Sequence, residues 1–126
     1  MSVPQQKPLF LGVEAFELLV RRAPAELLGG AALPEFQEAI GTSRERFEFI
    51  VEAIGADGRT QGMIGPETAG YLCNALGATI LQLEPADFKT RTGVDREEAL
   101  AIVGQLTEYI RSAEQATQQQ AEAVQP

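Results

Sequence analysis

A chain of 126 residues, 44% hydrophobic and 22% charged, has the composition of a globular domain and is long enough to bury one core without disulfides or metals. Its net charge of −8 opposes binding to nucleic acid and to anionic membranes, both of which draw on clustered Lys and Arg. With no His and a single Cys, histidine-based catalysis, an intrachain disulfide and a conventional zinc site are all excluded.

Residues 1–8 contain Pro4 and Pro8 and show no periodicity, so they read as a mobile arm, with Leu9, Phe10 and Leu11 as its apolar anchor. Val13, Phe16, Val20 and Ala23 then recur at spacings of three and four, widened by Leu19, which predicts a helix over 13–23. Pro24 should end or kink that helix and open a short one through Leu28, stopped by Gly29 and Gly30. Residues 34–40 repeat the design, from Pro34 to Ile40, with Gly41 as the stop. Thr42 and Glu45 form a capping-box pair ahead of a helix over 43–54. That helix should bury Phe47, Ile50, Val51 and Ile54 and close on Gly55 as a left-handed cap, while Glu45, Glu48 and Glu52 form a solvated face.

Four glycines between Gly55 and Gly65, with the pair Asp57-Gly58, predict the longest loop of the chain. Pro66 restarts a helix over 66–82, with Ala69, Leu72, Cys73 and Leu76 inward and a small-residue strip of Gly70, Cys73 and Gly77. β-Branched Thr79 and Ile80 leave a short strand as the alternative for 78–83. Pro85 to Gly93 reads as a turn region with Phe88 tucked inward. Asp95 and Glu98 are a second capping pair, and Ala99, Ile102, Val103, Leu106, Ile110 and Ala113 predict a helix over 95–115. Residues 114–126 should extend that helix or form a fraying tail. The expected architecture is one all-α domain over 9–113, with four main helices and two short ones.

Carboxylates alone can perform acid and base chemistry, but Glu14/Glu17 and Glu97/Glu98 occupy or adjoin first helical turns, where they complement the helix dipole. Asp57-Gly58 lacks the ligand pattern of a calcium loop, and no cofactor or metal is expected. Cys73, beside Leu72 and Leu76, reads as an inert core thiol. Elimination leaves a non-enzymatic protein-binding role: adaptor, inhibitor, assembly factor or accessory subunit. Because loops carry binding disproportionately, Asp57, Arg59, Gln61 and Met63 are the candidate contacts, with Tyr109 as a further one. The strip Gly70, Cys73 and Gly77 suits a homo-oligomer contact. No apolar run reaches the roughly 20 residues of a membrane span, and no export signal is evident, so a cytoplasmic location is expected. A metal-independent carboxylate enzyme is an alternative.

Gly62-Met-Ile-Gly-Pro-Glu-Thr68, followed by Tyr71 and Leu72, resembles the glycine-proline-threonine turn and helix start of small helical peptidoglycan-binding domains. Gln61 stands where that family usually has Asp, and Ala75 and Leu76 replace its aromatic-glutamine pair. The resemblance implies a cell-wall binding module. A glycine loop closed by a Pro-initiated helix accounts for the same residues by local stereochemistry.

Overall fold

The computed structural model describes residues 7–29 and 35–124, with side chains through Ala116. The fold is all-α, with one two-stranded sheet. Strand β1 (Leu9–Leu11) leads into α1 (Val13–Phe16), a π-helical segment (Glu17–Arg22) and α2 (Ala23–Gly29), which follow one another without a break. Then come α3 (Phe36–Ile40), α4 (Arg44–Ile54), a 3-10 turn (Ala56–Gly58), strand β2 (Gly62–Ile64), α5 (Pro66–Gln82), α6 (Pro85–Thr92) and α7 (Arg96–Val124). Residues 1–6 of the expected arm, Gly30 and Pro34 lie outside the described residues.

α5 is the central helix, and it packs against α2, α3, α6, α7 and the π-helical segment. Its buried face, Ala69, Leu72, Ala75, Leu76 and Ile80, repeats every three or four residues, as one side of a helix must. Proline at its first turn and Gly65 in extended conformation set its start. Residues 78–82 continue the helix, so the strand alternative does not hold: Thr79 satisfies its hydroxyl on the Ala75 carbonyl, 2.9 Å away, inside the core. Phe16, Phe47 and Phe88 are the largest fully buried side chains and join three separate helical segments to one core.

The departures from expectation have local causes. Pro24 stands in the first turn of the short helix expected there, α2, but that helix follows the preceding segment without a break, and Pro24 lies buried inside the continuous run. A proline ring crowds the carbonyl four residues back, and the preceding turns widen into π geometry, with the Ala23 N–H donating to the Leu18 carbonyl. Leu18, Leu19 and Val20 are all buried in this segment, whereas Val13, placed on the expected stripe, is 56% exposed. The cap of α4 is Ser43, whose Oγ accepts from the Arg46 N–H at 3.2 Å; Thr42 is itself buried. Gly55 is not left-handed (φ −86°): a Cβ there would lie 3.3 Å from the Val51 carbonyl oxygen and 3.5 Å from Val20, so close approach explains the glycine. Pro85–Thr92 is helical rather than a turn, closed by left-handed Gly93 (φ 77°), and Phe88 does point inward. Ile50 is only half-buried, while Phe47 and Val51 carry the inner face of α4.

Candidate functional site

Part of the expected 55–65 loop, Gly62–Ile64, is ordered by backbone pairing. β2 runs antiparallel to β1, with Leu9 opposite Ile64, Phe10 opposite Met63 and Leu11 opposite Gly62. Side chains alternate across a strand, so Leu11 and Ile64 enter the core while Phe10 (54% exposed) and Met63 (62% exposed) stand side by side on the other face. Gly62 permits this pairing, since a Cβ there would already touch the Phe16 ring at 3.4 Å.

The segment between α4 and β2 is held from the π-helical segment. The Arg21 guanidinium donates to the carbonyls of Gly55 (3.3 Å) and Arg59, lies 5.6 Å from the Phe16 ring centroid and pairs with Glu17 at 3.7 Å. Asp57 (φ 61°) and Gly58 (φ 68°) are both left-handed, a conformation that Asp tolerates better than most residues and Gly adopts freely. Asp57, Arg59 and Gln61 are exposed, and Met63 joins them through the strand.

Tyr109 has a different position. Its hydroxyl donates to the carbonyl of Lys7 at 2.8 Å and lies 3.4 Å from that of Ile64, so α7 ties the entry of β1 to the exit of β2. Burial raises the Tyr109 pKa above its ordinary value. The hydroxyl is spent on supporting the sheet, and the half-buried ring is packed against the core. Phe10 was the residue missing from the sequence-derived set. The alternation Leu9-Phe10-Leu11 is its signal, but three residues are too few to separate a strand from an anchor.

Cys73 and the small-residue strip sit apart from this surface. Cys73 faces α7 of its own chain, with Sγ 3.9 Å from the Val103 carbonyl and 3.8 Å from Thr107 Oγ1. A Cβ added at Gly70 or Gly77 would meet nothing within 4 Å, so no neighbour within the described chain requires small residues there. The stretch Gly62–Thr68 that carries the peptidoglycan-binding resemblance forms β2 and the first turn of α5. Within it, Glu67 accepts from the Tyr71 hydroxyl at 2.6 Å and from Arg46 at 3.1 Å. That bond to Glu67 is the first cause of a raised Tyr71 pKa, followed by burial.

Every described Asp and Glu side chain is at least partly exposed, so burial isolates no pair of carboxylates. Among the described residues, no group of three or more His, Cys, Asp and Glu could hold a metal ion, and no helix is long and apolar enough to cross a membrane. Comparison with known proteins gives no family model, curated protein or solved structure that matches this chain.

Proposed function

We propose that this chain is a non-enzymatic protein-binding domain whose contact surface is the outer face of the β1–β2 sheet, rimmed by Asp57, Arg59 and Gln61. The observation that carries the proposal is the exposed cross-strand pair Phe10 and Met63. Aromatic residues and Met are enriched at the cores of protein interfaces, and polar side chains form the rim. The pair is preorganised: the buried Leu11 and Ile64, the Tyr109 hydroxyl and the Arg21 guanidinium fix its base, so little ordering cost falls on association. The exposure of the carboxylates supports binding over acid–base chemistry.

The test is alanine substitution of Phe10 and Met63, singly, against a partner copurified from the native source, identified, and titrated by calorimetry. Each variant should keep the wild-type melt and lose about tenfold or more in affinity, the 1.4 kcal/mol or more typical of an interface anchor. Undiminished affinity in both variants would remove the sheet face from the interface.

A further inference from the structure

The chain holds two methionines and one cysteine. Met1 lies outside the described residues, and Cys73 is half-buried in the groove between α5 and α7, with Sγ 3.8 Å from Thr107 Oγ1 and 3.9 Å from the Val103 carbonyl. Met63 is placed differently. It is 62% exposed, and its strand holds it outward: the neighbouring Ile64 is turned into the core, and the cross-strand partner is the exposed Phe10. A thiol meets peroxides as its thiolate, whereas a thioether reacts without ionising, so attack on the Met63 sulfur needs only exposure.

We propose that Met63 is a reversible oxidation site, and that a hydroperoxide acting there switches the sheet face from a docking to a non-docking state. The Sδ lone pair attacks one peroxide oxygen and the O–O bond breaks. That oxygen stays on sulfur as the sulfoxide, and the other takes the proton and leaves as water or an alcohol, so sulfur loses the two electrons that the peroxide gains. The product carries a strongly polar S=O group where an apolar anchor stood. A partner surface shaped for a thioether must then strip water from that oxygen without supplying a donor. The fold is spared, because Leu11 and Ile64 carry the burial beneath the sheet and the β1–β2 backbone pairing does not involve the Met63 side chain. Oxidation of a buried methionine would be coupled to unfolding; this placement couples it to the surface alone. Docking and oxidation exclude each other, since a bound partner covers the sulfur.

This switch rests on the sheet-face reading, but it can fail while that reading stands. The full chain is treated with hydrogen peroxide, and peptide mapping follows each sulfur. Oxygen should appear on Met63 before Cys73 is consumed. The oxidised chain should keep a cooperative melt within about 4 °C of the reduced one, the most that loss of one cross-strand side-chain pair costs. Its affinity for the copurified, identified partner should fall by about tenfold or more in calorimetry, and a methionine sulfoxide reductase should restore it. Prior docking of that partner should slow oxygen uptake at Met63. Whatever affinity the Met63→Leu chain starts from, peroxide should leave it unmoved. Consumption of Cys73 first, loss of the cooperative melt, or an equal fall of affinity in the Met63→Leu chain would overturn the proposal. If Phe10→Ala and Met63→Ala weaken the partner but the sulfoxide does not, the switch falls and the sheet-face reading stands. If neither alanine variant weakens it, the sheet-face reading falls and takes the switch with it.

Discussion

Replacing Arg21 with alanine removes a side chain that bridges the π-helical segment to the backbone that precedes β2. Each hydrogen bond from its guanidinium to a carbonyl is charge-assisted, but the side chain is 32% exposed, so about 1 kcal/mol apiece is the appropriate scale. The contact over Phe16 contributes about 0.5–1 kcal/mol, and the solvent-exposed pairing with Glu17 at most about 0.5 kcal/mol. The expected loss is therefore about 2.5–3.5 kcal/mol. With an unfolding entropy of roughly 2.1 cal/mol/K per residue over 126 residues, that lowers the melting temperature by about 9–13 °C. The effect should be local before it is global: hydrogen exchange should speed up at residues 55–61 while α7 stays protected. Arg21→Lys should fall between wild type and alanine, because an ammonium keeps the charge but lacks the fork that spans both carbonyls. A melt within about 2 °C of wild type, with unchanged exchange at 55–61, would refute the assignment of Arg21 as the anchor of this segment.

Val51→Asp puts an unpaired charge in a site only 7% exposed and should abolish the cooperative melt, whereas Ile50→Asp, at a half-buried position, should leave a destabilised but folded protein; circular dichroism distinguishes them, and equal melts would misplace the inner face of α4. Gly70→Ala should be neutral or stabilise by up to about 1 kcal/mol, since its Cβ meets nothing within 4 Å and the residue is helical; lower stability, or loss of an oligomer in sedimentation, would show that another molecule packs there. Because folding raises the pKa of both Tyr71 and Tyr109, the native state favours the protonated phenols. Their contribution is fully present below about pH 10 and is lost as pH rises through the raised folded-state values. Urea midpoints should therefore fall from pH 9 to pH 11, and Tyr71→Phe with Tyr109→Phe should flatten that decline; an unchanged slope in the double variant would sink the argument.

The helices legible in the sequence were those whose apolar residues keep one period and whose ends carry glycine or proline, as in α4, α5 and α7. α6 was obscured because Pro85–Thr92 offers only Phe88 as a large apolar residue among Asp, Lys, Thr and Arg. Its structure comes from Pro85 in the first turn, the left-handed Gly93 and a single buried ring. The capping pair was misplaced by one residue, since Thr42 and Ser43 carry the same hydroxyl chemistry and only packing decides which is buried. The sheet was unreadable for a different reason. Its two strands are three residues each and far apart in the chain, so their pairing is a tertiary event with almost no local pattern. The four glycines marked 55–65 as the break between α4 and α5, yet they could not show that it would contain a 3-10 turn and a strand that turns Met63 beside Phe10.

The first helical run shows why one stripe of apolar residues was too narrow an expectation. A helix lying against a single neighbour buries one side, but Leu18, Leu19 and Val20 are buried in succession. The π-helical segment that contains them is contacted by α4, α5 and α6, so it is enclosed on several sides. Pro24 then explains the geometry: its ring cannot sit on a regular turn without striking the Val20 carbonyl, and the wider π turn accommodates both. The same segment carries Arg21 to the Gly55 and Arg59 carbonyls, and Val20 to within close approach of Gly55. A proline that looked like a helix stop is thus linked, through the turn it widens, to the backbone that delivers β2 to β1 and sets Met63 against Phe10.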